Sequence, residues 1–228
     1  MNRLTLATTG LGFIAGYVDT VFFVALFGLF TAHVTGNFVL IGAELAHPGQ
    51  GVVLKFLAFP AFIAGIALAR ILVLYSAARG HRSSRPLLVL QALLLLASAA
   101  SGWRAAPFTS TETSAAIATG LFAAAAMGVQ NAAGRLVWHT LSPTTVMTGN
   151  VTQLVIDVVD LLRGAADDAL RQRIGKFFWP IVAFGVGAIA GGLVVQQISM
   201  LALLLPLVIL IALAASDSLD AESARAAT

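Results

Sequence analysis

The sequence predicts an all-α integral membrane protein with six transmembrane helices and two short re-entrant or broken helices, arranged as two inverted three-span repeats. Three observations lead to this prediction. The first is composition: 59% of the 228 residues are hydrophobic, 10% are charged, and the mean hydropathy is +0.93. A soluble domain carries about 25% charged residues, and one of this size cannot hide so much apolar surface from water. Soluble enzymes, nucleic-acid-binding domains and disordered chains are thereby excluded, and the expected solvent is the lipid bilayer. The second observation is a series of apolar stretches of spanning length. The third is that the chain resembles itself.

Spanning the hydrocarbon as a helix takes about 17–25 residues. In chain order the apolar stretches are 4–30, 34–46, 52–78, 86–102, 113–138, 144–162, 177–196 and 199–215. The stretch 4–30 is interrupted by Gly16, Tyr17 and Asp19 and is too long for a secretion signal. The stretch 34–46 is too short to cross, and 144–162 crosses only if Asp157 and Asp160 are embedded in the membrane. The six others span. Distribution of Lys and Arg selects between six and eight spans. With 34–46 and 144–162 dipping in and returning, Arg3, Arg79, Arg82, Arg85, Arg135, Arg163, Arg171, Arg173, Lys176 and Arg225 are cytoplasmic. Only Lys55 and Arg104 then lie outside, and Arg70 sits within a span near its inner end, where it is expected to snorkel. Eight full crossings reverse this bias. Six spans with both termini cytoplasmic are therefore expected, and Trp103, Trp138 and Trp179 fall near span ends as an aromatic belt would place them.

The self-resemblance divides the single membrane domain, 1–228, into repeat 1 at 1–104 and repeat 2 at 105–228. G-Y-V-D at 16–19 and V-T-G-N-F-V at 34–39 parallel G-V-Q-N at 128–131 and M-T-G-N-V-T at 147–152. K-F-L-A-F-P at 55–60 parallels K-F-F-W-P at 176–180, and each is followed by a small-residue run. Gly16 precedes Thr35 by 19 positions and Gly128 precedes Thr148 by 20. Each half has an odd number of spans, so translation along the chain flips the second half across the membrane, a plan common among secondary transporters. The spacings Gly12-x3-Gly16 and Gly187-x3-Gly191 suit close helix packing.

Irregular backbone at membrane depth is tolerated only inside protein or beside a wet cavity. A Thr-Gly-Asn turn supplies a glycine for close backbone approach and side chains able to cap the following helix, expected to begin at Asn37 or Asn150. Its N-terminus carries about half a positive charge. Two such ends entering from opposite faces are expected to converge on one polar solute site. Thr35, Gly36, Asn37, Thr148, Gly149 and Asn150, with Gln130 and Asn131, are the candidate binding residues. The competing reading is that both T-G-N segments are structural turns. Asp19, inside the first apolar stretch, is the candidate for proton or ion coupling, because an acid at mid-membrane costs roughly 2.5–3.5 kcal/mol. The alternative role for Asp19 is a hydrogen-bonded acid that holds the repeats together. His33 and His139 occupy roughly matching places before the two loops, and either fits an interfacial residue. Asp157, Asp160, Asp167 and Asp168 alternate with Arg163, Arg171 and Arg173, the pattern of a solvated or interfacial surface rather than a metal site. With no cysteine and no nucleophile, Walker or zinc motif, no enzymatic activity, metal or cofactor is expected.

G-Y-V-D at 16–19, H-V-T-G-N at 33–37, G-V-Q-N at 128–131 and T-T-V-M-T-G-N-V-T at 144–152 resemble the YoaK-like family of bacterial membrane proteins, whose domain is of unknown function. The resemblance covers nearly the whole chain. It implies a small multi-span protein of the bacterial inner membrane and brings no substrate. The expected function is a secondary transporter or channel-like permease for a small polar solute, anionic if the helix ends bind it, working as a homodimer. The alternative is a non-transporting membrane scaffold or accessory subunit.

Overall fold

The computed structural model describes residues 3–47, 49–164, 167–216 and 219. Arg225, expected on the cytoplasmic side, lies outside the described residues. These residues form α1 (Arg3–Ala25), α2 (Gly36–Ala46), α3 (Val52–Ala78), α4 (Ser84–Gly102), α5 (Ser114–Leu136), α6 (Met147–Leu162), α7 (Asp168–Ile198), a 3-10 turn (Ser199–Leu203) and α8 (Leu204–Ala215). No strand occurs among the described residues. Five segments are long and apolar enough to cross a membrane: α1, α3, α4, α5 and the 48-residue stretch Asp168–Ala215. That last stretch breaks at Ser199, whose φ is +53°. Helix α8 has 12 residues, about 18 Å of rise, against a hydrocarbon thickness of about 30 Å.

Apolar side chains are distributed for lipid. The rods α1 and α5 are buried in the middle, and the outer helices turn large hydrophobic residues outward. Phe56, Ile63, Ile71 and Leu74 of α3, Val182, Val186, Ile189 and Leu193 of α7, and Val208 and Ile211 of α8 are all exposed. Helix α6 likewise exposes Val151, Val155, Ile156, Val159 and Leu162 along one face.

Small residues set the two principal seams. Helix α1 packs along α7, and α5 packs along α3. A Cβ placed on Gly16 would collide with the Phe184 carbonyl, and one on Gly128 with the Phe62 carbonyl. In return, Gly187 lies against the Phe13 carbonyl and Gly65 against the Ala125 carbonyl. Contact this close requires the absence of a side chain, and glycine is the residue that permits it. The expected role of Gly12, Gly16, Gly187 and Gly191 is met, since all four face backbone across the α1–α7 seam.

The first apolar stretch, expected to run through Phe30, stops being helical at Ala25. Phe27 and Gly28 both take positive φ, +53° and +84°. The chain therefore leaves the helix and folds back as a loop before α2. Both short helices also begin earlier than expected, α2 at Gly36 and α6 at Met147, so Thr148-Gly149-Asn150 lies within the first turn of α6. Neither start has a side-chain cap.

Two further expectations are corrected. Asp157 is not on a solvated surface: it is 0% exposed and takes a fork of hydrogen bonds from Arg173, Nε to Oδ2 and Nη2 to Oδ1, each 2.8 Å. Docking of α6 onto α7 encloses it, and a buried carboxylate needs such a partner. Trp138 is buried rather than interfacial, and its Nε1 donates to Ser84 Oγ at 3.1 Å. Trp103 and Trp179 are exposed as a belt requires.

Candidate functional site

The loop between α1 and α2 is held by three polar side chains from three helices. Asp19 on α1 is 4% exposed. Its Oδ1 accepts from Thr31 N at 2.6 Å, Ala32 N at 2.8 Å and Thr31 Oγ1 at 3.2 Å. Its Oδ2 accepts from His33 N at 3.3 Å and meets His33 Nδ1 at 2.7 Å. Asn37, fully buried on α2, reaches back seven residues, where its Oδ1 accepts from Phe30 N and its Nδ2 donates to Phe30 O. Lys55 on α3 is 1% exposed, and its Nζ donates to Phe27 O at 2.7 Å, Glu44 Oε1 at 2.6 Å and Gln50 O at 3.1 Å. An ammonium has three hydrogens, and here each has an acceptor. Lys55, expected on the outer side of the membrane, is buried and straps the loop to α3.

The loop between α5 and α6 is held in a parallel way. Asn150 reaches back seven residues to donate from Nδ2 to Pro143 O at 2.6 Å. Lys176 on α7 donates to Thr140 O. From α5, Asn131 Nδ2 donates to Thr145 Oγ1 at 2.7 Å, and Gln130 Nε2 donates to Thr144 Oγ1 at 3.0 Å and to Leu11 O at 2.9 Å. Gln130 Oε1 accepts from Gln91 Nε2 at 2.7 Å, so its amide is fully engaged in tying α1, α4 and α5 together.

Each loop borders its own cavity. The first, of about 550 Å³, is lined by Asp19, Thr20, His33, Thr35 and Gly36, with an aromatic wall of Phe23, Phe30 and Phe184. His33 packs edge-on to Phe184, their ring centroids 5.4 Å apart. The second, of about 270 Å³, is lined by Gln130, Asn131, Arg135, His139, Thr144 and Thr145, among others. The two share no lining residue, and α2 and α6 do not touch.

The structure thus separates residues that the sequence was expected to gather at one spot. Thr35 and Gly36 line the first cavity with Asp19, and Gln130 and Asn131 line the second. Asn37 and Asn150 are buried behind the loops, and their side chains are engaged with the chain itself. Thr148 and Gly149 are exposed on α6 and line neither cavity. The expected convergence of two helix ends on one polar site gives way to two cavities because each short helix docks on its own long partner, α2 on α3 and α6 on α7. Two residues of chemical interest carried little weight in the sequence, His33 as the partner of Asp19 and Arg135 as the cation of the second cavity. The position of His33 two residues before T-G-N was the available signal.

Among the described residues, no cluster of three or more His, Asp or Glu is placed to hold a metal ion. No curated protein and no solved structure matches the chain. A family model described as a protein of unknown function, DUF1275, matches residues 7–216. Since that match covers most of the chain, the protein belongs to the DUF1275 family.

Proposed function

We propose that the protein is a permease for a small polar solute in the bacterial inner membrane, with six spans, both termini cytoplasmic, and two halves of opposite orientation. The reciprocal glycine seams support the inverted plan, since Gly16 meets Phe184 as Gly128 meets Phe62. The paired loop clamps support it too, since Asn37 and Asn150 each reach back seven residues and Lys55 and Lys176 each bind a loop carbonyl. The sixth span in this plan is formed by the stretch from Ser199 through α8.

The observation that carries the permease reading is a pair of cavities with polar floors at matching places, inside a protein whose outer face is apolar. In this plan the first cavity opens toward the outside and the second toward the cytoplasm. Asp19 and His33 couple movement to protons. The Asp19 carboxyl accepts from the backbone of Thr31 and Ala32 and meets His33 Nδ1 at the edge of the cavity. With Nδ1 engaged, His33 has Nε2 as the nitrogen for proton exchange with the cavity. Asp19 then orients the imidazole, as a carboxylate does for histidine elsewhere.

The test is solute-driven proton flux in proteoliposomes holding an internal pH dye, challenged with acetate, lactate and inorganic phosphate. Wild-type protein is expected to acidify or alkalinise the lumen with at least one of these, and His33→Gln and Asp19→Asn are expected to lose the proton signal. No solute-dependent flux above protein-free vesicles, or unchanged flux in both variants, overturns the proposal.

A non-transporting scaffold is the second reading, and one observation favours it: the side chains of Asn37 and Asn150 bind the adjacent loops. In either reading the protein is expected to work as a homodimer in lipid.

A further inference from the structure

We propose that the second cavity binds a small oxyanion, a carboxylate or phosphate group, with Arg135 as its principal partner. This names the solute class for the permease reading, although the site stands as a binding site without transport. Arg135 lines the cavity from the last turn of α5. Five other described cations are engaged elsewhere: Lys55 with Glu44, Arg173 with Asp157, Lys176 with the Thr140 carbonyl, Arg85 with the Ala214 carbonyl and Arg79 over the Tyr75 ring, whereas Arg135 is exposed and lines a cavity. Arg135 has neither an acidic nor a hydrogen-bonding partner among the described residues, and no acid lines the cavity.

Two buried hydroxyls complete the arrangement. Thr144 and Thr145 are each less than one-tenth exposed and both line the cavity. Each oxygen accepts from an amide, Thr144 from Gln130 and Thr145 from Asn131. A hydroxyl that accepts still has its own hydrogen to donate. Two hydroxyl donors beside a guanidinium, with His139 at the same cavity, match the acceptor-only oxygens of a carboxylate or phosphate. A volume of about 270 Å³ equals roughly nine waters at ~30 Å³ each, room for a solute of a few heavy atoms with some hydration. The C-terminal end of α5 carries partial negative charge, so the backbone does not supply the attraction and binding depends on Arg135. A cation in a last helical turn is also expected from dipole compensation alone, but that role does not account for the two hydroxyl donors.

The test is thermal unfolding of the purified full-length protein in neutral detergent. Acetate and inorganic phosphate are titrated in one arm and phosphatidylglycerol in the other, with sodium chloride held at matched ionic strength. A saturable rise in Tm is expected with acetate or phosphate, with half-saturation shifted at least tenfold upward in Arg135→Gln and partly restored in Arg135→Lys. A saturable, Arg135-dependent rise confined to the lipid arm supports the site and assigns the oxyanion to a headgroup. No saturable rise in either arm, or the same rise in Arg135→Gln, overturns it. Arg135-dependent binding without uptake removes the permease and keeps the site, whereas uptake without Arg135-dependent binding does the reverse.

Discussion

The two loop-and-cavity regions share a scaffold and differ in chemistry. In both, an asparagine at the start of a short helix holds the backbone seven residues upstream, and a lysine in the N-terminal part of a long helix holds a loop carbonyl. In both, a side chain from a central rod meets the loop, Asp19 in the first half and Asn131 in the second. The first rod contributes a carboxylate and its loop an imidazole, beside three phenylalanines. The second contributes an amide and an arginine, beside two threonines. The residues that bend the chain repeat between the halves, and the cavity linings differ in a carboxylate against an amide and in the arginine of the second, while each lining carries a histidine, His33 or His139.

This contrast can be broken first at the buried ion pairs. Lys55→Met leaves the Glu44 carboxylate without its cation and the Phe27 carbonyl without its donor. Loss of one partner of a buried pair costs about 3–5 kcal/mol, so a lowered Tm and reduced monodisperse yield are expected. Arg173→Met is expected to cost more, since it strands Asp157, whose side chain is 0% exposed, where Lys55→Met strands Glu44, which is 17% exposed. Equal losses would mean that the two halves are stabilised alike.

The seams come next. Gly16→Val forces a side chain into the Phe184 carbonyl, and Gly65→Val does the same at the Ala125 carbonyl. Each is expected to destabilise by roughly 1–3 kcal/mol or more, read as a fall in detergent Tm. Gly134→Ala, where nothing lies within contact range of an added Cβ, is expected to change stability by less than about 0.5 kcal/mol.

A third comparison separates the two T-G-N segments. Asn37→Ala strands both the N–H and the C=O of Phe30, whereas Asn150→Ala strands only the Pro143 carbonyl. An orphaned buried polar group costs about 1–3 kcal/mol, so the drop in Tm should be larger for Asn37→Ala. A loss of ligand-induced stabilisation with unchanged Tm in either variant would instead place these amides in contact with solute.

Much of this fold was legible in the sequence because hydropathy and glycine spacing are local signals. The apolar run at 52–78 became α3 almost residue for residue, and Gly187-x3-Gly191 packs as its spacing implies. What was not legible depends on contacts between distant positions. Phe27-Gly28-Leu29-Phe30 has the hydropathy of a continuing helix, yet Lys55, Asp19 and Asn37 pull this segment into a loop. Asp157 shares the charge pattern of a wet surface, and only the docking of α6 on α7 encloses it. The T-G-N signal marked the right segments but not the right atoms. Asn37 and Asn150 shape the loops, while Thr35, Gly36, His33 and Arg135 line the cavities, and Arg135 belongs to no repeated motif.

The central claim is that the halves face opposite ways, each bringing its own cavity to one side of the membrane. Single-cysteine labelling at Ala46 and Arg163 tests it directly, because the chain has no native cysteine. A membrane-impermeant maleimide is expected to label Ala46→Cys in spheroplasts and Arg163→Cys only in inside-out vesicles. Labelling of both positions from the same side would contradict the inverted arrangement.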